Sequence, residues 1–309
     1  MDMIENPVPW PGGARVAVCY TFDFDADSLL NLVHPDDAAN RVSATSYFRY
    51  DATVAIKRIC KLFEHHGVPL TFFVPGWCAE EYPHAIERIL EGGHEVGHHG
   101  YLHENPNQQT RDREHYWTNR GVEAIERFTG RKPRGCRAPM YNFSKHSIEI
   151  LTSLGFEYDA SLMGDDVPFI IQGRNGGELV EIPSYWPLDD APHYLHSFDL
   201  DYVMPIQPPR LATEVYMSEF NSMWKHRGIW VCTFHPYITG RPARLDFVEQ
   251  MIKDMRKKGK VWFASMEEVS NHVRKLVDDG AYTPRIDKVP YKQGRIGELE
   301  EGASAGRLT

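Results

Sequence analysis

Apolar, β-branched runs alternate with amphipathic stretches along most of the chain. Residues 15–24 (RVAVCYTFDF) have the composition of a buried strand, and so do residues 69–75 (PLTFFVP) and 228–235 (GIWVCTFH). Shorter strands are predicted at 94–97, 135–139, 157–162, 179–182 and 261–264. Helical periodicity marks residues 53–65, with Gly67 placed to end the helix, and also 83–91 and 111–129. Further helices are predicted at 144–154, 210–227, 245–259 and 266–279. Residues 28–50 read as a long loop walling the site, and loops 28–50 and 165–178 are expected to shape the pocket. Strand–helix alternation of this kind predicts an α/β barrel with a mainly parallel sheet. An irregular arm (1–14), a catalytic barrel (15–279) and a polar, glycine-rich tail (280–309) complete the expected organisation.

Candidate chemistry clusters at the predicted strand ends, where a barrel gathers its active site. The stretch GGHEVGHHGYLHENP holds His94, His98, His99 and His103. On a helix or helical turn, His99 and His103 would share a face and reach one metal ion. A third ligand comes from TFDFD, because residues two apart on a strand share a face. Asp23 and Asp25 can therefore look into one cavity, one binding metal and the other moving a proton. Arg137, His235 and the acidic pair Asp189-Asp190 also fall near strand ends. A two-His, one-Asp set leaves metal positions open, the pattern of a catalytic site. Such a metal lowers the pKa of its water to ~7 and polarises a carbonyl. With Asp23 as base, His235 as acid and Arg137 orienting Asp23, the parts describe hydrolysis of a C–N bond. The bland readings are a coincidental HxxxH pair, a capping Asp25, a packed His235 and a plain ion pair at Arg137.

Composition narrows the setting. A net charge of -9 makes a nucleic-acid partner unexpected. No apolar run approaches the ~20 residues that span a bilayer. The first residues lack the basic and apolar regions of a signal peptide, and five dispersed cysteines suit reduced thiols, so a cytoplasmic address is expected.

TFDFD, HGYLH, RAP, IPSYWPLDD and TFHP stand in this order from about residue 15 to about residue 273. On these motifs the chain resembles the polysaccharide-deacetylase (NodB homology) family. The resemblance implies a distorted (β/α)7 TIM-like barrel. It implies one divalent metal per subunit on Asp25, His99 and His103, usually Zn2+, with Co2+, Ni2+ and Mn2+ compatible with the same ligands. It also implies Asp23 as base, His235 as acid and Arg137 as the tether of the base. Two departures bear on substrate: Phe24 separates the two aspartates, and Gly100 follows His99 where the family has Ser or Thr. GHEVGHHGYLHENP and WPLDDAP resemble instead a branch with peptidoglycan deacetylase-like proteins and bacterial cyclic imidases, near allantoinase-like members. Homo-oligomers, dimers or tetramers with closed sites, are implied there. A small cyclic imide or ureide is accordingly the expected substrate, with an N-acetylated amino sugar or peptidoglycan as the alternative. Tyr50, Trp186 and Asp190 are the expected substrate contacts. Other classes fit less well. A non-heme iron oxygenase usually carries its carboxylate close to the first His, and a non-catalytic barrel would not need the full polar set.

Overall fold

The computed structural model describes residues 2–292. Seven strands lie side by side and parallel, in the order β10, β1, β2, β3, β4, β5, β7. They are β1 (Val16–Asp23), β2 (Leu70–Val74), β3 (Glu95–His98), β4 (Gly135–Cys136), β5 (Tyr158–Asp159), β7 (Glu178–Glu181) and β10 (Ile229–Phe234). Helices follow most of them, giving the expected distorted α/β barrel with a mostly parallel sheet. β11 (Val261–Phe263) pairs with the beginning of β1, and an isolated bridge from Asp189 to Thr233 extends the far edge of β10.

β1 is hydrogen-bonded along both edges and buried throughout. Its register sets Tyr20 and Phe22 toward the helices that include Ile56–His66, where their rings meet Phe63. Thr21 and Asp23 point the other way and meet Arg137. Strand alternation thus separates an aromatic layer from a polar axis.

The loop expected at 28–50 is instead largely helical, with Ser28–Val33, Ala38–Asn40 and Val42–Phe48, followed by a π turn at Asp51–Ala55. Leu30, Ala44 and Phe48 bury against the core, so tertiary packing overrides weak local propensity. The 165–178 segment carries β6 (Phe169–Gln172), antiparallel to β7, and lies away from the site. β12 (Ile286–Lys288) pairs with β6, so part of the tail belongs to the sheet, and the remainder from 293 lies outside the described residues. The arm also docks: Val8 and Trp10 are buried, and the Trp10 indole donates to Gly228 O at 3.1 Å. A small hairpin, β8 (His196–Ser197) with β9 (Tyr202–Val203), overhangs the barrel mouth. No helix among the described residues is long and apolar enough to cross a membrane.

Candidate active site

Chain reversals at the C-terminal ends of the strands bring the chemistry together. Asp23 closes β1 and Asp25 follows two residues on. His99 follows β3, Arg137 follows β4, and His235 follows β10. All these side chains are buried.

Asp25, His99 and His103 present ligand atoms that all lie within 4.8 Å of one another. His99 Nε2 stands 3.5 Å from Asp25 Oδ1, and His103 Nε2 stands 3.7 Å from Asp25 Oδ2. Ligands 2.0–2.1 Å from a tetrahedral ion are ~3.3 Å apart, so little adjustment separates this set from coordination. Asp25 Oδ1 is buried without a hydrogen-bond partner. Burial holds the His103 imidazole down to about 4, neutral and able to ligate at pH 7. His99 is oriented by a 2.6 Å contact from Nδ1 to Arg137 O, which leaves Nε2 for the ion. The residues therefore fit a divalent cation. The spacing suggests a helix or a helical turn, but the HxxxH pair is on neither. It lies on a turn in which His103 has φ 64°, and the two rings stand 4.9 Å apart.

Asp23 Oδ1 accepts from Arg137 Nη1 at 2.7 Å, and its Oδ2 lies 3.7 Å from His99 Nε2. Burial pushes the Asp23 carboxyl up, but the charges of Arg137, His99 and His235 outweigh it and hold the group below the usual carboxylate range. Arg137 is itself fully buried, donates to Thr21 Oγ1 and Ala160 O, and lies over Phe73.

His235 Nε2 faces Asp25 Oδ2 at 3.5 Å. Its Nδ1 lies 2.7 Å from Asp190 Oδ1, and its backbone N–H donates to Asp190 Oδ2 at 3.0 Å. Burial works against the imidazolium, but Asp190, Asp189 and Asp25 overcome it and raise the group well above its ordinary value.

Two of the three expected substrate contacts stand elsewhere. Asp190 is fully buried behind His235 and also accepts from Thr239 Oγ1, so it orients the imidazole rather than facing the cavity. Tyr50 points away, bonded to Arg58 and stacked under Arg241 at 3.6 Å. Trp186 does line the cavity, edge-on to Tyr141 at 4.8 Å. Of the remaining histidines, His98 faces Thr118 O behind the site, and His94 is buried beside Phe72.

Asp189 is visible in the sequence as half of an acidic pair without an assigned role, whereas Tyr141 and Asp51 escaped the sequence reading. Asp189 lines the cavity, accepts from Tyr141 Oη at 2.6 Å, and is pushed by burial up to about 6. Tyr141 adopts φ 56°, next to Met140 at φ 57°, and both face the cavity. Asp51 is buried beneath the site, where its Oδ2 accepts from Ala26 N at 2.9 Å and fixes the turn carrying Asp25. An acid flanked by helix-forming residues was the only available signal for Asp51.

The cavity has a volume of about 220 Å³. Apolar side chains, among them Leu29, Met140, Leu195 and Met204, make most of its wall. It adjoins a groove of about 590 Å³ along Leu29, His103, Met140 and Tyr202.

Residues 40–158 match the model of the polysaccharide deacetylase family. The chain is similar over nearly its whole length to a Mycobacterium smegmatis protein assigned as a polysaccharide deacetylase. The two share 36% identity and a TM-score of 0.87, covering 96% of this chain and all of the other. The chain belongs to the polysaccharide deacetylase family. It is a hydrolase of non-peptide carbon–nitrogen bonds whose buried Asp-His-His set has the character of a divalent metal site. Within the family, a Helicobacter pylori peptidoglycan deacetylase is 28% identical over 283 residues, covering 83% of this chain and 96% of its own. The Puue allantoinase shares the fold, with a TM-score of 0.77 at 21% identity over 90% of this chain and 96% of that one.

Proposed function

We propose that this polysaccharide-deacetylase relative hydrolyses the C–N bond of a small cyclic amide, imide or ureide. The cavity carries the reading. At about 220 Å³ it is smaller than the ~300–1,000 Å³ typical of drug-sized ligand pockets, and its wall is mainly apolar. A compact ring fits such a space better than a sugar with its shell of hydroxyls, which would need more polar partners.

In this scheme Asp25, His99 and His103 hold one divalent cation, with zinc expected and cobalt, nickel or manganese compatible. When bound, the ion supplies Lewis acidity that polarises the scissile carbonyl and acidifies water. Asp23 acts as general base: Arg137 keeps it ionised and occupies one oxygen, leaving the other to take the proton. His235 acts as general acid, its Nε2 giving a proton to the departing nitrogen while Asp190 holds Nδ1. Trp186 and Tyr141 pack the substrate against this pair. A reducing, cytoplasmic setting belongs to the same reading and accords with five buried, unpaired cysteines.

The adjoining groove favours a second reading, deacetylation of an N-acetylated amino sugar. Asn105, Gln108, Gln109 and Trp117 line it, offering amides and a flat ring to an extended substrate. The Helicobacter relative's description points the same way. Assaying the metal-loaded chain against ring imides and N-acetylglucosamine oligomers separates the two. Ring opening is expected; release of acetate from the oligomers alone replaces the first reading with the second, and turnover of neither ends both.

A further inference from the structure

The segment that carries the second histidine has no helix or strand to hold it. His99 is fixed twice: its N–H donates to Val74 O at 3.1 Å, and its ring Nδ1 meets Arg137 O. His103 lacks the second restraint, because its Nδ1 is buried without a partner. Its backbone also sits at φ 64°, a conformation a residue with a Cβ seldom adopts. A ligand placed that way needs a constraint from outside its own ring.

The next residue supplies one. Glu104 is buried, and its Oε2 accepts the backbone N–H groups of both Tyr101 and Leu102, each at 2.9 Å. This closes the turn between the two histidines from the inside. From the outside, Gly100 O and Tyr101 O accept from Gly76 N and Trp77 N. No side chain at position 100 could take over the task. Gly100 has φ 76°, and a Cβ there would lie 3.1 Å from Pro139 and 3.2 Å from Glu104 Oε2 itself.

We propose that Glu104 is a positioning residue that sets His103 in place before a divalent cation arrives. The inference rests on the metal reading of Asp25, His99 and His103. Glu104 does not act on substrate; it acts through the turn. Losing its oxygen would leave two N–H groups without an acceptor and let His103 relax out of the left-handed region.

The full chain, stripped with a chelator, tests this by two titrations. Co2+ binding is followed by visible absorption, and Zn2+ binding by competition with a chromophoric chelator. Glu104→Met keeps the bulk and removes the acceptor. It should weaken Zn2+ binding on the order of 10- to 100-fold and change the Co2+ spectrum. Glu104→Gln retains an oxygen for both N–H groups and should stay near wild type in both. Unchanged affinity and spectrum in Glu104→Met overturns the proposal. So does an equal loss in both variants with an unchanged spectrum, which would mark a charge effect. If Glu104→Met fails to fold, amide exchange in the wild type decides: Tyr101 and Leu102 should exchange slowly in the metal-free chain, and rapid exchange slowed only by metal overturns preorganisation. Absence of Co2+ binding by the wild type would remove the metal reading itself, whereas normal binding by wild type and Glu104→Met alike removes only the role of Glu104.

Discussion

Arg137 Nη1 lies 2.7 Å from Asp23 Oδ1, and neither side chain is more than 5% exposed. Removing one member of such a pair strands the other charge away from water, which typically costs about 3–5 kcal/mol. Arg137→Met is therefore expected to lower stability by that order and to raise the Asp23 carboxyl. Asp23 is depressed in the folded chain, so its contribution to stability is present above the ordinary carboxylate range and is lost as pH falls through the folded value. The acidic limb of the rate profile should move to higher pH in Arg137→Met. A limb that stays in place would remove Arg137 as the tether of the base.

His235 behaves in the opposite sense. Its folded value is raised, so the stability it contributes is complete below the ordinary histidine range and fades as pH climbs through the folded value. Asp190→Asn should bring the imidazole down, shifting the alkaline limb of kcat toward neutrality. His235→Ala should cost ~10²- to 10⁴-fold in kcat, the usual weight of a general acid, and less for substrates with good leaving groups. An equal loss for all leaving groups would argue that His235 binds rather than donates.

Chelation should abolish turnover without unfolding the chain, because the strands that Asp25 and His99 follow are packed by their own aromatic layer. Metal analysis of the active form should find one ion per chain. Asp25→Asn should lose metal and activity together while circular dichroism stays unchanged. Unfolding on metal removal would instead assign the ion a structural role.

A third acidic pair lies under the site, where β5 and β7 set Asp159 opposite Glu181, both fully buried. Burial pushes Asp159 up to about 6 and Glu181 well above its usual range. Raised folded values mean that the associated stability is present below pH ~4 and lost as pH rises through about 6. Glu181→Gln keeps an acceptor for Leu162 N and removes one of the two charges. It should flatten the decline in melting temperature between pH 5 and 8, with a gain on the order of 1–3 kcal/mol at the alkaline end. An unaltered slope would show that the pair does not govern this titration.

The long, strongly patterned elements were legible because each carries its own signal. β1 announces itself by β-branched residues that lead into two acids, and Pro83–Glu91 and Arg111–Thr129 by period and terminal glycines. What failed depends on partners remote in sequence. β6 and β12 are short and stabilise each other across the chain, so neither stands out alone. The spacing of His99 and His103 fits a helix or a turn alike, and the bonds that close the turn, from Glu104 inside and from Gly76 and Trp77 outside, are invisible in that spacing. In WPLDDAP two adjacent acids are chemically equivalent in sequence. The bridge from Asp189 to Thr233 turns the first toward the cavity and the second behind His235. Tyr50 attracted attention as an aromatic in an apparent loop, but the helix it precedes carries it away.

β1 is laced to β2 along one edge and β10 along the other, and it ends on Asp23. Asp23 cannot shift without disturbing a strand bonded along both edges, while Asp25 is held by the turn that Asp51 fixes. Leu29, Trp186 and Tyr202, by contrast, ride on brief helical turns and a two-residue strand. The base is thus anchored in the sheet, while these parts of the wall are not. Exchanging such a wall residue can reshape the entrance without moving the strand that carries the base.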